Sequence, residues 1–260
     1  MSLDFGRHLK DWRARRRMSQ LQLALAADVS ARHVAFLETG RARPSRSMIL
    51  RLGDALEIPR ADRNLMLDAA GFRPAYTARS SDTQTMAPIR QAIAHMIRGH
   101  APYPAFVFDR HWTVMDANVT GEAMLAQFGL TRGDSFIDYL LQPGRGASLV
   151  ENWAEVARHL LLRLRLESAH LGGDVLLDEA ANRIAADPAL CTAIRPDGDM
   201  PPVVPVRVRL GEAVFPMFSA ITHFGTAEDI ALADTKIELF FPADEATERL
   251  FRDMMASQQS

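Results

Sequence analysis

Residues 30–45, SARHVAFLETGRARPS, place Arg32, His33, Phe36 and Arg41 around Val34 and Leu37. Val34 and Leu37 are three apart, so a helix here buries one narrow stripe and turns the other side chains outward. A ring beside guanidinium and imidazole groups is an odd surface for water alone, and it reads as a binding face. Catalysis has less to stand on. The histidines at 8, 33, 95, 100, 111, 159, 170 and 223 form no HxxxH or HExxH pair, so the zinc-hydrolase spacing is absent. The chain has one cysteine, Cys191, which excludes an intrachain disulfide or a cysteine metal cluster. There is no GxSxG elbow and no glycine-rich phosphate loop. No cofactor, metal or catalytic residue is expected.

Charge points to the partner of that face. Residues 1–80 carry 15 Arg/Lys against 8 Asp/Glu, a balance of +7, and residues 81–260 carry 15 against 24, a balance of −9. A basic front and an acidic back imply two domains with different partners, the front one polyanionic. The composition, 48% hydrophobic and 24% charged, is that of an ordinary soluble chain able to bury a core. No run approaches the roughly 18 apolar residues of a membrane span. The opening MSLDFGRHLKDWRARRR lacks the apolar core of a secretory signal, so a cytoplasmic protein without membrane contact is expected.

The elements that position the basic face are helical. Phe5, Leu9 and Trp12 mark one face of a first helix. Ser19 caps a second, with Gln22 as its capping-box partner. Asp28-Val29 makes a tight connection, since Asp tolerates left-handed backbone. Ser30 caps a third helix that ends near Thr39-Gly40. Pro44-Ser45 opens a fourth that stops at Pro59, and a fifth runs from about Ala61 to Ala70. The expected domain spans 1–72, and a linker covers 73–87, where apolar periodicity is lost.

From Pro88 the pattern changes. A helix, IRQAIAHMIRGH, precedes a hairpin with strands at Ala105–Phe108 and Trp112–Met115 about a turn at Asp109-Arg110. Helices follow over 119–129, 151–169 and 173–187. VVPVRVRL, EAVFPMFSAITHF and KIELFFPA then read as strands. Helices beside a small antiparallel sheet make an α+β domain over 88–260. In VVPVRVRL, Arg207 and Arg209 alternate with valines and are expected to face solvent.

The short connection between the second and third helices is the helix-turn-helix signature. Its inward positions fall on Leu23, Ala24, Ala27, Val29, Val34 and Leu37, all small or apolar. With Ser19-Gln20, Ser30, the LETGR of Leu37–Arg41 and Pro44-Ser45, the five-helix front resembles the xenobiotic-response-element family of phage-repressor type. That resemblance implies that the third helix enters the major groove of double-stranded DNA. Ala31, Arg32, His33 and Phe36 then face base edges from a helix opened by Ser30. Arg32 suits guanine, and Ala31 and Phe36 suit thymine methyls. Gln20, Arg41, Arg43 and Arg46 are placed for the phosphate backbone. The same resemblance pairs Arg13 with Glu38 as a buried structural ion pair. Leu21 and Leu25 sit i,i+4 on the side of the second helix that is usually exposed.

PYPAFVFDRHWTVMDAN resembles the opening of a PAS-like domain. Together with ARHVAFLETGRARPS, LDAAGFRP, HFGTAEDI and FFPADEATERL, it makes the whole chain look like the MmyB-like regulators. The resemblance implies a bacterial transcription factor whose PAS-like domain binds a small apolar ligand such as a fatty acid, and a homodimer is expected because one helix-turn-helix contacts too little DNA for useful specificity. Candidate lining residues are Phe106, Phe108, Trp112, Met115, Trp153, Phe218, Ile221, His223 and Phe224. Arg207, Arg209 or His223 could meet a carboxylate. Two alternatives stand beside this reading. One is a back domain that only dimerises or binds proteins, with a filled core. The other is a self-cleaving repressor using Ser219 and Lys236, with Ala70-Gly71 as the cleaved bond.

Overall fold

A computed structural model describes residues 2–76, 84–191, 203–224 and 229–258 of the 260-residue chain. The chain divides into two compact units, one on Met1–Arg79, Ala169–Gly173 and Ala227–Ile230, the other on Ser80–Ser168, Asp174–Thr226 and Ala231–Ser260.

The first unit holds α1 (Ser2–Arg15), α2 (Gln20–Ala26), α3 (Ala31–Glu38), α4 (Arg46–Ala55) and α5 (Arg60–Ala69). Serine side chains start three of them. Ser19 and Gln22 form a reciprocal capping box, Ser30 accepts from the His33 N–H, and Ser45 accepts from the Met48 N–H. Each such cap stabilises its helix by about 1 kcal/mol. The α2–α3 connection turns on Asp28 at φ 51, as its residue type suggests. Arg17 at φ 53 and Glu57 at φ 49 serve the same purpose after α1 and α4. Neither residue type signals left-handed backbone, so these two turns were not legible in advance. The core is built from Phe5, Leu9, Trp12, Leu23, Ala24, Ala27, Val34, Leu37, Ile49, Leu52, Leu56, Ile58, Met66 and Leu67. Val29 packs at its edge, only partly buried. Gly6 allows α1 to lie on the end of α3, because a Cβ there would stand 2.6 Å from the Glu38 carbonyl oxygen. Leu21 and Leu25 are exposed.

Part of the expected linker is tied down. Asn64 Oδ1 accepts the Ala75 and Tyr76 N–H groups, and its Nδ2 donates to the Tyr76 carbonyl. The linker residues 77–83, and residues 225–228 of the HFGTAEDI motif, lie outside the described residues.

The second unit begins with a 3-10 turn at Gln84–Met86 and α6 (Ala87–Gly99). Then come β1 (Ala105–Phe108), β2 (Val114–Ala117), α7 (Val119–Phe128), α8 (Phe136–Leu140), α9 (Arg145–Leu149), α10 (Trp153–His170), α11 (Val175–Ala186) and α12 (Pro188–Cys191). β3 (Val206–Leu210), β4 (Ala213–His223), α13 (Ile230–Ala233), β5 (Lys236–Pro242) and α14 (Glu245–Gln258) complete it. The sheet order is β2-β1-β5-β4-β3, with each neighbouring pair antiparallel.

Register assigns the two faces. Phe106 lies opposite Glu238, Phe108 opposite Lys236 and Ser219 opposite Phe240. Directly paired residues share a face, so these six side chains point the same way. The other face carries Ala105, Val107 and Ile237, which bury against Ile97 of α6 together with Ile93, Phe224 and Leu239. Asn118 links these layers from the start of α7. Its Oδ1 accepts the Ala105 and Gly121 N–H groups, and its Nδ2 donates to the Ile97 and Tyr103 carbonyls.

The second strand starts two residues later than the sequence suggests, at Val114 rather than Trp112. Asp109 Oδ1 accepts from both the His111 and Thr113 N–H groups, and Trp112 adopts φ 65. The loop therefore runs to Thr113 before the chain extends. Arg207 and Arg209 are exposed on β3, as alternation predicts.

Candidate functional site

In the first unit, α3 is fixed from below and free above. Val34 and Leu37 are fully buried. Arg13 Nε donates to Glu38 Oε1 at 2.6 Å and Nη2 donates to Oε2 at 3.1 Å. The bond to Glu38 raises the Arg13 pKa further above its already high value. Gln20 Nε2 also donates to Glu38 Oε2, at 2.7 Å. The Gln20 side chain, expected at the phosphate backbone, is thus engaged within the unit.

On the opposite side of α3, Arg32 is exposed and its guanidinium lies 5.2 Å from the centroid of the Phe36 ring. Phe36 and His33 are partly buried, and Ala31 packs at the edge of the core. Arg41, Arg43 and Arg46 are exposed after α3 and at the start of α4. The geometry is a short helix presenting a stacked Arg–Phe pair, flanked by guanidinium groups.

In the second unit, a cavity of about 300 Å³ lies between the sheet and the helices across it. Phe106, Trp112, Phe136, Leu140, Leu160, Val206 and Phe240 form much of its apolar wall. Val156, His159, Leu160 and Arg163 reach it from one side of α10 at helical spacing. One part of the lining is polar. Ser219 Oγ donates to Glu238 Oε1 at 2.6 Å, and Arg163 Nη1 stands 3.9 Å from the same oxygen. Burial pushes the Glu238 carboxyl up from its ordinary range, against the Ser219 hydrogen bond and the Arg163 charge. Burial and then Arg163 hold the His159 imidazole below its usual value, toward the neutral form. Behind this wall, Glu167 Oε2 accepts from Trp112 Nε1 at 3.0 Å and from Lys236 Nζ at 2.6 Å. Burial lowers the Lys236 pKa while Glu167 opposes that shift. The Lys236 ammonium sits 4.2 Å from the Trp112 ring centroid. The hollow thus combines an apolar wall with a guanidinium, a carboxyl and a hydroxyl, the make-up of a small-molecule pocket.

Of the nine residues expected to line a pocket, Phe106 and Trp112 do so. Phe108 is buried beside them, between Trp112 and Phe136, and Ile221 shares their face without reaching the lining. Phe218 stacks on Phe241 and Phe224 packs toward α6, both on the far face. The reason for Phe218 is strand parity, since it alternates with Ser219 on β4, and Phe224 lies just past the end of that strand. Met115 is half exposed on β2, and His223 is exposed at the end of β4. Trp153 turns to Gly146, where an added Cβ would sit 2.4 Å from its ring, and lines a separate hollow with Ile184 and Leu190. As pocket lining, sequence reading missed Arg163, His159, Ser219 and Glu238. One signal was available, a lone carboxylate inside the apolar run KIELFF.

The arrangement needed for self-cleavage is not formed. Ser219 is bonded to Glu238, and Lys236 donates to Glu167 and to the Arg110 carbonyl. Lys236 lies opposite His223, four residues along β4 from Ser219. That offset separates them by about 13 Å along the strand.

A helical unit of helix-turn-helix type and an α+β unit that encloses an apolar cavity make up the chain. Residues 89–254 match the family described as the MmyB-like transcription regulator ligand binding domain, and residues 4–66 match a helix-turn-helix domain family. The chain belongs to the MmyB-like transcription regulators. Among solved structures, the PAS domain from Bordetella pertussis BvgS is similar over 67% of this chain and 99% of its own, at 15% identity and a TM-score of 0.29. No curated protein matches the chain. No helix among the described residues is long and apolar enough to cross a membrane.

Proposed function

We propose that the protein is a cytoplasmic, homodimeric regulator that reads an operator through α3 and changes its DNA binding when a fatty-acid-like molecule enters the cavity of the second unit. The observation that carries this reading is the apolar cavity of about 300 Å³ with Arg163, Ser219 and Glu238 in its wall. A domain that served only for dimerisation would gain stability by filling such a space, since unfilled volume in a core is destabilising. A guanidinium in an apolar wall complements a carboxylate head.

On the DNA side, Arg32 pairs with a guanine edge, steadied by Phe36, while Ala31 and Phe36 meet thymine methyls. Arg41, Arg43 and Arg46 contact phosphates and set the salt dependence. One such helix reads few base pairs, so two copies engage half-sites about one turn apart. The ligand acts by binding one dimer geometry better than another. The test is selection of bound duplexes from a random pool, with and without long-chain fatty acids. The expected result is a two-fold symmetric site whose recovery changes with the acid. Recovery of no preferred sequence would refute the operator reading, and recovery indifferent to every acid would refute the ligand reading.

A further inference from the structure

The Glu238 carboxyl is the lone carboxylate of the apolar run KIELFF. It is 5% exposed, accepts from Ser219 and faces the cavity. Its nearest cation, Arg163, is 3.9 Å away, and among the described residues no hydrogen bond occupies the Arg163 guanidinium. An ion pair closed for stability would be shorter and two-pronged, as Arg13–Glu38 is. Here the guanidinium and the carboxyl stand apart at the wall of an apolar space, each with bonding capacity left over.

The surroundings limit what Glu238 can do. From α10 come His159, Arg163 and Glu167, from β5 Lys236, from β4 Ser219, and from β1 the apolar Phe106 directly opposite. Lys236 and Glu167 are bonded to each other and cancel. The charge balance facing the cavity therefore depends on Arg163 and Glu238. An acyl carboxylate beside Arg163 would also lie beside Glu238. Two ionised carboxylates cannot share so dry a site, because like charges at short range disfavour the second ionisation. One proton shared between them removes the conflict, and Glu238 then donates while Arg163 balances the remaining charge. An alcohol head brings no charge and needs no such proton.

We propose that Glu238 is the head-group selector of the cavity, holding one proton opposite the carboxylate of a bound long-chain acid, so that acid binding is linked to protonation whereas binding of an uncharged head is not. The inference rests on the apolar-ligand reading above. Burial also favours the neutral carboxyl, so the linkage is read at the pH where Glu238 of the unliganded protein is ionised.

The test is calorimetric titration of the full chain with dodecanoate and with 1-dodecanol, in buffers of different ionisation heat, from about pH 6 to about pH 9, where the free acid stays ionised. Dodecanoate should bind progressively more weakly as pH rises, approaching tenfold per unit, with uptake approaching one proton per acid bound. Dodecanol should show a flat profile and no uptake. Glu238→Gln should retain dodecanoate and lose both the slope and the uptake. If that variant does not fold, Arg163→Gln should weaken dodecanoate by about tenfold or more and leave dodecanol within about twofold. Binding of both probes with the same flat profile would overturn the selector role while leaving the ligand reading intact. Binding of neither would overturn both.

Discussion

Arg13 and Glu38 close a two-pronged ion pair across 25 residues of sequence, with the Glu38 side chain 3% exposed. The pair ties α1 to the end of α3 and so fixes the angle at which α3 leaves the core. Removing one member of a buried pair strands the other charge at a cost of about 3–5 kcal/mol. Arg13→Ala should therefore lower the melting transition of the helical unit well below that of Arg43→Ala, which removes an exposed side chain. Equal shifts in thermal denaturation would show that the pair contributes nothing.

Arg32→Ala should leave the helical content unchanged and relax base preference at one position in each half-site. The expected discrimination lost is about 1–3 kcal/mol. Arg43→Ala should instead weaken binding to all sequences alike and reduce the salt slope by about 1. Competition binding with single-base operator variants separates the two outcomes.

Leu160→Trp places a larger ring at the cavity wall. Ligand binding should fall by at least tenfold, while unliganded DNA binding stays near the starting value. Fluorescent fatty-acid displacement and an operator shift assay on the same preparation report both quantities. Joint loss of the two activities would indicate unfolding rather than occlusion.

Asp174 caps α11 and accepts from His111 Nε2, Arg110 Nη2 and the Leu177 N–H. Burial alone would raise its pKa, but these bonds outweigh burial and hold it below the ordinary carboxylate value. A depressed folded-state pKa adds stability that is present above the unfolded value, about 3.9, and lost as pH falls through the folded one. Chemical denaturation of the second unit should show a loss between about pH 4 and about pH 2 that Asp174→Asn makes shallower.

Residues 88–260 expressed alone should unfold cooperatively and bind the same fatty acids as the full chain. A fragment that stays unfolded in circular dichroism would place the domain boundary elsewhere.

Much of this protein can be read locally. Ser19, Ser30 and Ser45 mark helix starts because a cap acts over three residues, and Val34 and Leu37 mark the inward stripe of α3 because helix period is a local property. The whole-chain resemblance to the MmyB-like regulators rests on motifs equally visible in one dimension. The cavity wall does not. Alternation along β4 separates Ser219 from Phe218, yet gives no sign of which parity faces α10. That choice follows from β5 pairing with both β1 and β4, strands separated by about a hundred residues, and from α10 crossing that face. Glu238, Ser219 and Arg163 come together through those long-range pairings alone. The sequence by itself determined the five helices of the first unit, the serine caps of three of them and the basic outward face of α3. Only the tertiary structure decided which carboxyl faces the cavity, because packing between distant segments is not written in the period of any one of them.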